Sequence, residues 1–218
     1  GTRLAIEQNH NEVMKFIINA SSKVSAGVFL KACGYSRNDI LDMFDNNEII
    51  ANTLEKETQE TEEEALIEIA RRTRPAEIPS ADATRQYLYD TFFSNQYYNF
   101  EHVGRYKYNK KLSIATRIAN RLAAEDVKMG RKTFVKKGEK ITPEIADQIQ
   151  RAGVNEVRID LDGKPHKIIG NARVYLRDFI ECDEKALGAT EMVYYPLLQQ
   201  ILKENKTDED RIQAVRDN

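Results

Sequence analysis

Apolar positions alternate weakly at Leu4–Ile6, and Val13–Ile18 ends in the unbroken run Phe16-Ile17-Ile18. This predicts two short strands joined by the polar turn Gln8-Asn-His-Asn11, the second strand covered on both faces. Ser25 precedes a helical stretch over Ala26–Cys33, and Gly34 supplies the left-handed residue that ends it. Ser36 with Asp39 three positions on predicts a capped helix through Phe44. Residues 45–60 read as a polar, acidic connection turning at Asn46-Asn47. Thr61 and Glu64 form a second capping pair, opening a helix to Thr73 with Ala65, Leu66 and Ile69 as its apolar stripe. Pro75 stops that helix. Ser80 opens the next, over Ala81–Phe93, with Tyr87, Leu88, Thr91 and Phe92 on one face, and a loop follows from Ser94 to Phe100.

Beyond the loop, Arg105-Tyr106-Lys107-Tyr108 alternates cation and aromatic with a period of two, which predicts a basic strand. In a strand the two tyrosines pack on the core and Arg105 and Lys107 face outward; Lys110 and Lys111 cannot both share that face, so one of them turns away or a bend begins at Asn109. Ser113–Ala124 reads as a short helix carrying Ile114, Ile118 and Leu122, with Arg117 and Arg121 on its opposite face. Residues 126–170 change texture. Phe134-Val135 and Lys137-Gly138 lead into a helix opened by Thr142-Pro143 and ended by Gly153. The strand Val154–Leu161, the hairpin signal Asp162-Gly163 and a return over Lys167–Gly170 follow. This predicts a compact, β-rich, barrel-like insert. A strand over Ala172–Phe179, a helix over Thr190–Glu204 with a kink or late start at Pro196, and a last helix over Asp208–Asp217 complete the reading. The expected fold class is α+β: a mixed helical lobe with short strands over 1–125 and 171–218, plus the small inserted subdomain 126–170.

Composition sharpens the picture. With 41% hydrophobic residues a sizeable core is possible, and no apolar run approaches the roughly eighteen residues of a membrane helix. The first ten residues lack the apolar centre of a signal peptide. Cys33 and Cys182 have no CxxC spacing; Cys33 lies in an apolar stretch and is expected to be a buried free thiol, in a cytosolic chain free of disulfides. The formal net charge of −2 argues against an autonomous DNA-binding domain. Yet His102–Ala124 contains no carboxylate and holds Arg105, Lys107, Lys110, Lys111, Arg117 and Arg121. Such a block either follows a phosphate backbone or forms a solvated face. Arg71, Arg72 and Arg74 at a helix C-terminus complement its dipole. Asp39–Glu68 holds eleven acids and one cation, Lys56, and reads as a solvated acidic face. There is no GxSxG, Walker loop, HExxH, CxxC or GxGxxG, and His10, His102 and His166 are scattered. Asp160 and Asp162 belong to a turn without further calcium-loop ligands. No catalytic residue, metal or cofactor is expected.

The chain also carries a resemblance. Val103-Gly-Arg-Tyr-Lys-Tyr-Asn-Lys-Lys-Leu112 is similar to the V-G-R-x-K-x-N-K-K-L segment of the bacterial RNA polymerase β subunit. Arg74-Pro-Ala-Glu-Ile-Pro79 resembles that family's R-P-G-E-P-P, and Phe92-Phe93 its double Phe. Val28-Phe-Leu-Lys-Ala-Cys-Gly-Tyr35 with Asp39-Ile-Leu-Asp42 resembles its L-R-A-L-G-Y helix and the I-L-D-L-F after it. Val193-Tyr-Tyr-Pro-Leu-Leu198 looks like a segment of some Gram-positive versions, and a K-G-x-x-I-T-x-E-x-A module like that of the insert recurs in bacterial polymerase large subunits. The order of the motifs implies the lobe of β, one wall of the DNA cleft. Two departures subtract cations: Ile17–Ser25 keeps only Lys23 of the family's basic cluster, and Tyr97 stands where R-Y-D-L has Arg.

The resemblance implies partners: DNA, the polymerase subunits β′, α and ω, and σ, in the cytoplasm at the nucleoid. It adds Arg74 to the candidate DNA contacts Arg105, Lys107, Lys110, Lys111 and Arg117. The catalytic aspartates belong to another subunit, so the fragment itself is expected to be catalytically silent, and monomeric when isolated. The chain ends before the family's D-D-I-D-H-L-G-N-R-R stretch and reads as an excised fragment. The rivals are a protein-interaction module docking an acidic partner through 103–121, and a free-standing RNA-binding protein.

Overall fold

The computed structural model describes residues 3–9, 12–19, 21–94, 96, 101–189 and 191–217. His10 and Asn11 of the expected first turn, most of the 94–100 loop including Tyr97, and Thr190 lie outside them. The chain divides into two compact units, Gly1–Asn99 and Phe100–Asn218. It is α+β, as expected from the mixture of periods.

In the first unit, β1 (Leu4–Gln8), β2 (Met14–Ile18) and β3 (Ser22–Ser25) form an antiparallel sheet in sequence order, with Ile6 opposite Phe16 and Phe16 opposite Val24. Helices α1 (Ala26–Ala32), α2 (Arg37–Met43), α3 (Glu48–Glu55), α4 (Glu62–Thr73) and α5 (Ala81–Phe92) follow. Ile18 and Val24 of the sheet share one core with Val28 and Phe29 of α1, Ala65, Leu66 and Ile69 of α4, and Leu88 of α5. Both capping boxes form: Ser36 with Asp39, and Thr61 with Glu64. The Ser80 hydroxyl accepts from the Ala83 N–H, as expected.

Three expectations fail in this unit. The Ser25 side chain does not cap α1; its hydroxyl donates instead to Glu57. Residues 48–55 are helical because Asn47 caps them and Ile50 and Leu54 bury against Ile40. Cys33 is exposed, since it follows the last turn of α1 as the chain leaves the core.

The second unit opens with α6 (Glu101–Leu112) and α7 (Ile114–Ile118). A three-stranded antiparallel sheet, β4 (Leu122–Ala123), β7 (Glu156–Leu161) and β8 (Lys164–Ile169), runs in the order β4-β7-β8. The hairpin β5 (Val127–Met129)–β6 (Lys132–Val135) is a separate two-stranded sheet, and α8 (Pro143–Arg151) packs with both. The common core joins Ile114 and Ile118 to Val127, Val135, Ile141, Ile149, Val157 and Ile159. No closed barrel forms among the described residues: the hairpin and the three-stranded sheet stay separate, and α8 shares a core with residues of both. The Asp162-Gly163 turn forms as expected, with φ of 54° and 81°.

β9 (Arg173–Val174) pairs with β10 (Val193–Tyr194) and leads to α9 (Tyr195–Glu204) and α10 (Asp208–Asp217). Pro196 sits in the first turn of α9, so the helix starts late and does not kink. The strand expected over 172–179 shrinks to two residues, followed by a 3-10 turn at Leu176–Asp178. The helix expected over 113–124 ends at Ile118, and Asn120 at φ 64° turns the chain into β4.

Candidate nucleic-acid interface

The basic stretch is helical, not extended. Four alternating residues are too few to impose a strand, and Arg, Lys, Lys and Leu are good helix formers. At about 100° per residue, Arg105 and Lys107 project about 200° apart around α6. Lys107, Lys110 and Lys111, spaced i, i+3 and i+4, share one side instead. All four cations are exposed, whereas Gly104, Tyr108 and Asn109 are half-buried and mark the inner side. Tyr106 does not pack on a core: it is 63% exposed, and Lys110 Nζ lies 5.8 Å from its ring centroid. Val103, 67% exposed, joins it on the outer side.

The helix is held from within the unit. Asn171 Nδ2 donates to Asn109 Oδ1 at 3.4 Å, and His102 Nδ1 lies 2.8 Å from Glu191 Oε1. The Ser113 N–H donates to the Asn109 carbonyl at 3.1 Å, and the Ser113 hydroxyl caps α7. Among the described residues, Arg105, Lys107, Lys110 and Lys111 form no ion pair. Four like charges on one short helix repel one another, which a polyanion would relieve.

The other two candidates are placed differently. Arg117, on α7, is exposed, and its Nη1 donates to the Ile169 carbonyl. Arg74 belongs to the first unit. Its Nη1 meets Glu77 at 3.1 Å, its Nη2 the Thr84 hydroxyl at 3.2 Å, and its guanidinium lies 5.0 Å from the Tyr87 ring centroid. The structure thus groups three of the six candidates on one face, sets Arg105 on another side of the same helix, and ties Arg74 and Arg117 to internal acceptors.

Five of the eleven acids of the stretch 39–68 are engaged within the first unit. Asp39 and Glu64 serve capping boxes, Glu62 pairs with Arg85 at 2.9 Å, and Glu68 pairs with Arg72 at 2.8 Å. Hydrogen bonds from the Ser36 hydroxyl and backbone hold the Asp39 carboxyl below its usual range. Backbone N–H groups of Glu60 and Thr61 do the same for Glu64. Glu57 is buried against Lys31 at 3.0 Å. Asp160 Oδ1 accepts from the Gly163 N–H at 2.7 Å, a turn contact. No group of three His, Cys, Asp or Glu suited to a metal occurs among the described residues.

A second basic surface lies outside the candidates that the sequence suggests. Residues 126–140 hold six cations and two carboxylates, and all six cations are exposed on and beside the β5–β6 hairpin. Their density along the chain is the signal for it, but unlike His102–Ala124 this stretch also holds carboxylates, Asp126 and Glu139.

The sequence model of the RNA polymerase Rpb2 domain 2 family matches residues 1–156. The chain is 38% identical over 216 residues to the protein named DNA-directed RNA polymerase subunit beta of Clostridium acetobutylicum, covering 97% of this chain and 17% of that one. The protein of the same name from Clostridium botulinum strain Loch Maree is 38% identical over 222 aligned positions, covering 100% and 18%. That from Clostridium perfringens strain 13 is 38% identical over 215, covering 97% and 17%. The chain therefore spans less than a fifth of the length of these curated relatives. No helix is long and apolar enough to cross a membrane among the described residues. With the ordered motifs in place, and the family model covering the first compact unit and the second as far as Glu156, the chain belongs to the RNA polymerase Rpb2 domain 2 family, in its bacterial β-subunit form.

Proposed function

We propose that this chain is the lobe of a bacterial RNA polymerase β subunit, that it lines one wall of the DNA cleft, and that the outer face of α6 holds DNA phosphates there. The observation that carries the reading is the trio Lys107, Lys110 and Lys111: exposed, on one helix face, without an ion pair among the described residues. Ammonium groups so placed neutralise phosphates and release counterions, which gives affinity without sequence preference. Arg105 reaches a different side of the same helix. Arg117 keeps most of its five donors after the bond to Ile169, so it serves as an auxiliary contact. Arg74, committed to Glu77 and Thr84, is the weakest of the six.

In this reading the partners are DNA, the subunits β′, α and ω, and σ, in the cytoplasm at the nucleoid. The lobe contributes positioning to nucleotidyl transfer and no bond-making group. Residues 126–170 act as a small module on this lobe, with Ile114 and Ile118 lending it apolar cover.

The test is the salt dependence of duplex DNA binding by polymerase assembled with Lys107→Gln, Lys110→Gln and Lys111→Gln together. Each lost phosphate contact should lower the slope of log Kobs against log salt by about 0.9, with base preference unchanged. An unchanged slope refutes the reading. A second reading is favoured by Val103 and Tyr106, exposed beside the lysines: an acidic protein partner anchored by an aromatic and an aliphatic side chain. In that case Tyr106→Ala weakens a protein subunit's association and leaves the DNA slope alone.

A further inference from the structure

We infer that the β5–β6 hairpin with the turn after it is a second phosphate-binding surface, separate from α6, that takes the backbone of duplex DNA. The inference rests on the cleft-wall reading above, and it adds a site outside the six candidate DNA contacts; of its cations only Lys137 falls in a motif shared with polymerase subunits.

The first ground is charge. Lys128, Arg131, Lys132, Lys136, Lys137 and Lys140 fall within thirteen residues of a chain whose net charge is −2. All are exposed. Glu139 within this stretch and Asp126 just before it are already engaged. Asp126 Oδ2 meets Lys128 Nζ at 2.9 Å, and its Oδ1 accepts from the Lys137 N–H at 2.9 Å. Glu139 Oε2 accepts from the Lys136 N–H at 2.9 Å. Arg131, Lys132, Lys136, Lys137 and Lys140 are left without an ion pair among the described residues.

The second ground is rigidity. The turn is stitched to the sheet: Gly138 N–H donates to the Ala123 carbonyl at 2.7 Å, Ala123 N–H to the Glu139 carbonyl at 2.9 Å, and Ile141 N–H to the Arg121 carbonyl at 2.8 Å. Val127 and Val135 at the hairpin base are buried in the core. Lys132 Nζ is held 4.7 Å from the Phe134 ring centroid. Cations on so fixed a frame lose little backbone freedom when a ligand docks.

The third ground selects the ligand. A protein partner needs apolar anchors at the centre of the contact. The hairpin exposes one large apolar side chain, Met129 at 37%, at its tip. A polyphosphate backbone needs none, because its contacts are charge-assisted and independent of sequence. Five of the six cations are Lys, which binds phosphate as a mobile point charge without a base-reading fork.

The experiment uses assembled polymerase carrying Lys132→Gln, Lys136→Gln, Lys137→Gln and Lys140→Gln, all at exposed positions, beside the α6 triple variant and the two combined. Binding of a fluorescent duplex DNA, a single-stranded RNA and poly-glutamate is followed across a salt series. The hairpin variant should lose about tenfold in duplex affinity at 0.1 M salt, and its slope should fall by about 0.9 for each contact removed. The combined variant should show the sum of both slope changes. If the hairpin variant keeps the parental duplex slope, the inference fails, whatever the α6 variant does. Loss confined to RNA or to poly-glutamate also overturns it, assigning the surface to a transcript or to an acidic protein. If only the α6 variant leaves the slope unchanged, the α6 reading falls and the hairpin site stands.

Discussion

Replacing Lys31 with Met should loosen the first unit from inside. The Lys31 and Glu57 side chains are 2% and 3% exposed, with Nζ 3.0 Å from Oε2. Lys31 Nζ also donates to the Gln59 carbonyl at 2.6 Å. Glu57 Oε1 accepts from the Val28 N–H at 3.1 Å and from the Ser25 hydroxyl. One ion pair thus joins the start of α1, its last turn and the segment leading to α4. Met keeps most of the stem's packing but leaves the Glu57 carboxylate buried with neutral donors alone. Removing one partner of a buried pair costs about 3–5 kcal/mol. The two donors that remain on Glu57 place this case near the lower end, about 3 kcal/mol. At tenfold per 1.4 kcal/mol, local opening becomes about a hundredfold more populated.

Hydrogen exchange read by mass spectrometry on the whole chain measures this directly. Amides of α1 and α4 should exchange about a hundred times faster, while those of α8, in the other unit, serve as an internal reference. Adding Glu57→Gln removes the stranded charge and keeps an acceptor for Val28 and Ser25. The double variant should recover at least tenfold of the lost protection. If Lys31→Met alone changes α1 exchange less than threefold, the pair does not hold α1 and the reasoning is refuted. A double variant worse than the single one refutes the assignment of the cost to the uncompensated carboxylate.

Further outcomes are expected. Gly153→Ala, at φ 85° with its added Cβ 2.3 Å from a Tyr195 ring carbon, should cost about 2–4 kcal/mol in urea titration. Gly163→Ala, at φ 81° in open space, should cost only about 1 kcal/mol. The carboxyls of Asp39 and Glu64 sit below their usual range, so the folded state binds their protons less readily than the unfolded chain does. Their contribution is therefore complete above the ordinary carboxylate range and is lost as pH falls through their lowered folded values. Ser36→Ala with Thr61→Ala should lower stability at pH 7 by about 1 kcal/mol each and flatten the acid limb of a melting-temperature series. The isolated chain should bind duplex DNA only in the non-specific range, about 10⁻⁴ to 10⁻⁶ M near physiological salt. Sub-nanomolar, sequence-specific binding by fluorescence anisotropy would contradict that.

What the amino-acid order determined by itself is local. Ser36 with Asp39, Thr61 with Glu64, Ser80 with Ala83 and Thr142 ahead of Pro143 were legible because each satisfies orphaned backbone groups within three or four residues. The Asp162-Gly163 turn was legible for the same reason: the backbone conformation selects the residue on the spot. The family was legible too, since its motifs are strings of neighbours. What required the tertiary structure depends on residues far apart in the chain. Whether 103–112 coils or extends is not settled by one Arg-Tyr-Lys-Tyr alternation. Its helix is anchored to Asn171 and Glu191, more than sixty residues away, and that placement puts Lys107 with Lys110 and Lys111 and away from Arg105. The 48–55 helix needed Ile40 to bury Ile50 and Leu54. Along the chain Glu57 is one more acid of a solvated face; in the fold its side chain is buried beside Lys31, twenty-six residues earlier. Charge is countable along a chain, but whether a charge is paired, buried or exposed is set by which distant segment packs next to it.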